Sequence, residues 1–183
     1  MTVSDFPTTF RISPIIRLTL FTLYLALTVP LPLLAGATDA PLPPNLLWAG
    51  MAIGGAILYG ALSERVVVSD RAIAVIYPQW FPFRRGWSLD WDAIKDLKLR
   101  TTGQGGLVYY FVAESSDRAY LLPMRIAGFS RLVGIVEEKT GIDTRDICPL
   151  AQPWMYFILL GLSLFLLLVD AWTIATARSL SVG

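Results

Sequence analysis

The chain has 183 residues, of which 55% are hydrophobic and 16% charged, and its mean hydropathy is +0.58. This composition is too apolar for an ordinary soluble domain and indicates a membrane protein. Fifteen basic and fourteen acidic residues give a net charge of +1 and there is no histidine, which argues against nucleic-acid binding and against hydrolase or zinc chemistry.

The first predicted element is a transmembrane helix over about residues 15–35, preceded by a cytoplasmic tail of residues 1–14. Its apolar run, LTLFTLYLALTVPLPLLAGAT, has 21 uncharged residues, enough to cross a hydrocarbon core of about 30 Å. Pro30 and Pro32 predict a kink near its far end. A cleaved signal peptide is the alternative, because Arg11 precedes an apolar run that ends in small residues.

A second transmembrane helix is predicted over about residues 46–63, within LLWAGMAIGGAILYGALS. Gly50 and Gly54 form a Gly-x-x-x-Gly pattern, which lets another helix approach closely. The pattern leaves open whether that helix belongs to this chain or to a partner.

The third predicted transmembrane helix covers residues 147–177 and is followed by a tail of residues 178–183. Its first 23 residues are uncharged. Trp154 and Trp172 are separated by 18 positions, or about 27 Å of helix, which matches aromatic belts at the two membrane surfaces.

Basic residues predict the orientation of the chain. The segment between the first two spans has no Lys or Arg, whereas Arg17 lies at the start of the first span and Arg65 follows the second. The positive-inside rule therefore places the amino terminus and residues 64–146 in the cytoplasm.

Residues 64–146 read as a small antiparallel β domain that ends in one helix. Six β-favouring segments alternate with turn residues: RVVVS, AIAVIY, GWSLDW, KDLKLRT, LVYYFVAE and RAYLLP. In AGFSRLVGIVEEKTG, apolar residues such as Phe129, Leu132 and Val136 recur at helical spacing, and Gly141 is placed to end the helix.

Two segments resemble the bacterial pleckstrin-homology-like (PH-like) domain family. ERVVVSDRAIAV looks like the opening hairpin of that family, and LDWDAIKDLKL is similar to its segment in which an acidic turn precedes a strand. The resemblance implies that residues 64–146 form a small antiparallel β PH-like domain capped by one carboxy-terminal helix. Together with the three predicted spans, we expect an α+β membrane protein with three transmembrane helices. The third span, which follows the domain, departs from the family, because many of its members end at the domain. The family shares no catalytic residues, so none is transferred to this chain.

In layout, two amino-terminal spans followed by a small β-rich domain are similar to the photosystem I assembly factor of cyanobacteria and chloroplasts. This likeness implies a bacterial inner or thylakoid membrane and a photosynthetic membrane complex as the partner.

The segment PQWFPFRRGWSLDW carries the predicted site. Pro78 and Pro82 keep it out of a central strand, so Trp80, Phe81 and Phe83 need another place to be buried. A partner protein, the lipid interface and the domain's own core are the alternatives, and we assign these three residues to partner binding.

The remaining residues of this segment have two predicted roles, contact with an anion and packing in the core. Arg84 and Arg85 are assigned to contact with lipid or another anion. Trp87 and Trp91 are assigned to the core, because with Leu89 they share one face of a strand.

The sequence thus predicts a non-enzymatic integral membrane protein whose cytoplasmic domain docks on a membrane protein complex as an assembly or scaffold factor. The alternative is a membrane-anchored sensor of anionic lipid or a small ligand. Asp90 and Asp92 are interpreted as solvated surface, and no catalytic residue, metal or cofactor is predicted. The expected partners are a membrane protein complex and membrane lipid, and not nucleic acid.

Overall fold

The computed structural model of the protein describes residues 7–36, 42–101, 107–113, 119–147 and 153–182. The chain is α+β, with antiparallel sheets and α-helices. It divides into two compact units. We call Met1–Ser13 with Ser63–Ala151 the sheet unit, and Pro14–Leu62 with Gln152–Gly183 the helical unit.

The described residues form seven strands and five α-helices. The strands are β1 (Thr8–Arg11), β2 (Arg65–Val68), β3 (Ala72–Ile76), β4 (Trp87–Asp90), β5 (Ile94–Thr101), β6 (Leu107–Ala113) and β7 (Ala119–Leu121). The helices are α1 (Pro14–Thr28), α2 (Pro30–Ala35), α3 (Pro44–Ala61), α4 (Phe129–Thr140) and α5 (Pro153–Val182). One sheet has the strand order β1-β2-β3-β4, the other β5-β6-β7, and all pairings are antiparallel.

The six predicted strands and the predicted helix of the sheet unit are confirmed. Strands β2 to β7 fall in the six β-favouring segments in the predicted order, and α4 follows them. Gly141 ends α4 with φ +70°, a left-handed conformation that glycine adopts at little cost. The turn segments at 102–106 and 114–118 lie outside the described residues.

Strand β1 was not predicted. Residues 1–14 are predicted to be a tail, and this prediction is wrong for residues 8–12, because β1 pairs with β2 and Ile12 bridges to Ile126. Phe10 and Ile12 are buried, with 6% and 4% of their surface exposed. Cleavage of the first apolar run would remove this strand from the sheet, which argues against the signal-peptide alternative.

The core of the sheet unit combines the inward faces of the strands with one face of α4. Val66, Ile73 and Phe111 are fully buried, and Leu132 of α4 belongs to the same cluster. The alternation of buried and exposed residues along β2 and β3 is what a sheet with one buried face requires.

Trp91 is part of this core, as predicted. It begins a short 3-10 turn, is 4% exposed, and donates a hydrogen bond from Nε1 to the Ser69 carbonyl at 2.9 Å. Trp87 is half-buried, with its ring 6.2 Å from Phe111 and 5.3 Å from Tyr120.

Two helical segments among the described residues are long and apolar enough to cross a membrane, judged by length and composition: Pro14–Ala35 and Trp154–Ala177. The first is interrupted between α1 and α2, at Val29 directly before Pro30, near the position where its prolines predict a kink. Helix α3 is not among these two segments. The prediction of three transmembrane helices is therefore not supported by this criterion.

The two predicted packing glycines of α3 differ in their surroundings. The Tyr24 hydroxyl of α1 donates to the Met51 carbonyl at 2.5 Å, and a Cβ on Gly54 would lie 2.7 Å from that hydroxyl oxygen. Gly54 therefore serves packing within this chain. A Cβ on Gly50 would meet no atom within 4 Å in the described part of the chain.

Candidate functional site

The candidate site is the connection between β3 and β4, residues 77–86, which we call the aromatic loop. Arg11, Arg65 and Ile76 stand opposite one another across β1, β2 and β3, so they mark one edge of the sheet. Helix α1 begins three residues after Arg11, and α3 ends four residues before Arg65. The aromatic loop therefore leaves the sheet at the edge where the chain passes to and from apolar helices.

Phe81 is the centre of an aromatic cluster in this loop. Its ring centroid lies 5.5 Å from that of Phe83, 5.9 Å from that of Trp80 and 6.4 Å from that of Tyr77. Trp80 and Phe83 are 54% and 68% exposed, whereas Phe81 is only 5% exposed. The structure therefore corrects the assignment of Phe81 to partner binding, because its ring is covered and supports the two exposed rings.

The backbone of the loop has two identifiable constraints. The Phe81 amide donates to the Pro78 carbonyl at 2.9 Å, which closes a turn over the first part of the loop. At the end of the loop, any side chain on Gly86 would collide with the Val75 carbonyl oxygen. The return into β4 consequently needs glycine at this position.

A polar chain holds the loop against the start of β2. The Tyr77 hydroxyl donates to Glu64 Oε2 at 2.8 Å, and Arg84 Nη1 donates to the Tyr77 hydroxyl at 3.4 Å. Burial raises the pKa of Tyr77, and the hydrogen bond to Tyr77 raises the pKa of Arg84. Tyr77 therefore remains a protonated donor and Arg84 remains charged at neutral pH.

The structure separates the two predicted arginines. Both are exposed, but Arg84 takes part in the polar chain and lines a cavity of about 150 Å³, whereas Arg85 is not among the residues that line this cavity. The cavity includes two charged residues that sequence reasoning missed, Glu64 and Arg125. Arg125 lies 41 positions after Arg84, so no local spacing connects them.

The acidic pair in the segment stays on the surface. Asp90 and Asp92 are exposed and line a shallow groove that also includes Asp70 and Arg71. Across the described ranges, no group of three or more acidic or cysteine side chains is arranged to hold a metal ion.

Fold and site together define an α+β chain with two helices apolar enough to cross a membrane and a braced aromatic loop at one sheet edge. The chain is 56% identical over 161 residues to the uncharacterized protein slr0269 of Synechocystis sp., a match that covers 86% of this chain and 81% of that protein. It therefore belongs to the family of this cyanobacterial protein. No family model and no solved structure matches the chain.

Proposed function

We propose that the protein is a non-enzymatic, membrane-anchored assembly or scaffold factor that docks on a membrane protein complex through Trp80 and Phe83. The observation that carries this proposal is the exposure of two large aromatic rings, 54% and 68%, on a loop whose buried Phe81 supports them. Exposed apolar groups of this kind mark contact surfaces, and tryptophan is enriched among the residues that dominate binding energy.

The partner is a membrane protein because of where the loop begins. It leaves the sheet edge marked by Arg11 and Arg65, within a few residues of the apolar helices α1 and α3. The rigid support from Phe81 and from the bonds of Tyr77 reduces the entropy lost on binding.

The proposal includes a PH-like domain and a photosynthetic membrane. Two antiparallel sheets followed by one amphipathic helix support the PH-like assignment. A cyanobacterial relative is compatible with a thylakoid location and with a photosynthetic complex as the partner.

We also propose three membrane crossings. Because β1 pairs with β2, residues 11 and 65 lie on the same side of any membrane that the intervening helices cross. An even number of crossings must separate them, so if Pro14–Ala35 crosses, α3 crosses back despite its lower hydropathy. The exposed apolar side chains of α3, such as Ile53 and Ile57, suit a lipid environment, and the basic residues favour a cytoplasmic sheet unit.

A labelling experiment checks this topology. Leu42→Cys and Asp92→Cys, each in a chain whose only native cysteine is removed by Cys148→Ser, should react with an impermeant maleimide from opposite sides of the membrane. Permeabilised membranes, in which both positions should react, provide the control. Reaction of both positions from the same side in sealed vesicles would contradict the paired crossings.

The docking proposal predicts that Trp80→Ser with Phe83→Ser leaves the protein folded and inserted but releases its partner complex. Interface anchors contribute about 2 kcal/mol or more each, so their joint loss should weaken association by roughly a thousandfold. Phe81 is kept because its burial makes it structural. The complex is purified from native membranes in mild detergent, and the amount of partner that remains bound is measured. The dissociation constant of the purified complex is then compared between the variant and the unaltered protein.

Leu99→Ser provides a matched control, because Leu99 is 52% exposed and belongs to β5, outside the aromatic loop. It should retain the partner complex. Retention of the complex by the double variant would refute docking through these rings. If the double variant retains the complex and, in a separate measurement, Arg84→Gln with Arg85→Gln loses binding to anionic vesicles, the anionic-lipid sensor is favoured instead.

A further inference from the structure

A small cavity in the sheet unit combines positive charge with an apolar wall. It measures about 150 Å³, and its charged lining residues are Arg84, Arg125 and Glu64. Two arginines and one glutamate leave that lining with a net charge of +1. At about 30 Å³ per water, the volume corresponds to roughly five water molecules, enough for one tetrahedral anion.

The glutamate in the lining is already engaged. Glu64 Oε2 accepts the hydrogen bond of the Tyr77 hydroxyl at 2.8 Å, and the same hydroxyl accepts from Arg84 Nη1 at 3.4 Å. The bond to Arg84 uses one of the five N–H donors of its guanidinium group. Donors of Arg84 and Arg125 consequently remain for a ligand, and guanidinium groups match phosphate oxygens in bidentate geometry.

The other wall of the cavity is apolar. Leu122 is almost fully buried, Met124 is half-buried and Leu121 is 53% exposed at the surface. This wall suits the organic part of a phosphate ester better than it suits a hydrated free ion.

The chain near the cavity leads directly into the apolar helices. The Ser13 amide, immediately before α1, donates to the Arg125 carbonyl at 3.0 Å, and Glu64 follows Leu62 by two residues. At about 3.5 Å per residue, Ser13 is one residue, or about 4 Å, and Glu64 is three residues, or at most about 10 Å, along the chain from a helix end. This chain connection makes a lipid headgroup one candidate source of a ligand if these helices are in a membrane.

We propose that the cavity lined by Arg84 and Arg125 binds a phosphate group, with the two guanidinium groups on the phosphate oxygens and the apolar wall against the esterified part of the ligand. The phosphate can come from a lipid headgroup or from a free phosphate compound. A lipid as the source of the phosphate rests on the membrane anchoring proposed above, whereas a free phosphate compound does not. Neither source requires that the protein docks on a partner through Trp80 and Phe83.

The test uses the purified full chain in detergent and measures dissociation constants by calorimetry. The probes are dihexanoyl phosphatidic acid, dihexanoylglycerol with the same tails but no phosphate, and inorganic phosphate, with chloride matching the ionic strength. We expect saturable binding of the phosphatidic acid and none of the diacylglycerol. Each of Arg84→Gln and Arg125→Gln should weaken binding by about tenfold or more, because a hydrogen bond between charged groups is lost.

Two further sets of variants separate a binding role from a structural one. Arg85→Gln and Arg131→Gln remove exposed arginines that do not line the cavity, and should leave the dissociation constant unchanged. Leu121→Asp adds a carboxylate at an exposed position in the lining and should abolish binding without unfolding the chain.

The outcomes distinguish the sources of phosphate. Arginine-dependent binding of phosphatidic acid that is tighter than that of inorganic phosphate supports the cavity as a lipid headgroup site. Equal, arginine-dependent binding of both probes supports a site for free phosphate. Absence of saturable binding, or binding that Arg84→Gln and Arg125→Gln leave unchanged, overturns the proposal. Because no partner complex is present, this result does not depend on the proposed docking.

Discussion

Residues 63–147 produced without the amino-terminal strand should fail to fold, whereas residues 7–13 joined to them by a short Gly/Ser linker should form a stable sheet unit. The segment 7–13 contributes the buried side chains of Phe10, in β1, and of Ile12, directly after it, and β1 covers the edge of β2. Truncation of a buried Phe alone costs about 3–5 kcal/mol, which is comparable to the whole stability of a small domain at about 5–15 kcal/mol. Loss of β1 would also leave the edge of β2 unpaired and exposed.

The linker is short because Arg11 stands opposite Arg65 in an antiparallel pair, so the two chain ends meet as they would in a hairpin. Cooperative thermal unfolding and dispersed amide resonances are the measurements. A linked fragment that carries Phe10→Ser is the matched control, and it should be strongly destabilised. Cooperative unfolding of residues 63–147 alone, at the midpoint of the linked fragment, would show that β1 is dispensable.

Trp91→Ala should destabilise the linked fragment by about 3–5 kcal/mol, which shifts the melting midpoint by roughly 4–8 °C for each kcal/mol. The ring is 4% exposed in the core, and its Nε1 donates to the Ser69 carbonyl. Removing the ring leaves a cavity, and removing the donor leaves that carbonyl short of a partner. Denaturant titration with a linear extrapolation measures the change.

Two further variants provide comparisons for the loss of stability expected from Trp91→Ala. Trp91→Phe keeps most of the packing and loses the hydrogen bond, so its cost should be smaller than that of Trp91→Ala. Trp80→Ala removes a ring that is 54% exposed and should change stability by about 0.5 kcal/mol or less. If Trp91→Ala melts at the same temperature as the unaltered fragment, Trp91 is not a core residue.

Local sequence patterns predicted most of the strands and helices of this protein. Alternating apolar and polar residues with turn signals between them predicted β2 to β7, because side chains of a strand point to opposite faces in turn. Helical spacing and Gly141 predicted α4 and its end, and long uncharged runs predicted the two helices apolar enough to cross a membrane. Each of these signals is contained within one short segment of chain.

The tertiary structure alone decided the features that depend on distant residues. Strand β1 has four residues, too few for a readable alternation, and its identity comes from pairing with β2 more than 50 positions later. Trp80, Phe81 and Phe83 are all large apolar residues in one loop, so their sequence does not indicate which of them is buried. In the structure only Phe81 of these three is buried, because the neighbouring rings of the folded loop pack around it. Arg84 and Arg125 likewise share a cavity only because folding brings separate segments together. The periodicity of apolar residues shows which face of a strand or helix is buried. Which other element packs against that face depends on contacts between segments that are distant in the sequence.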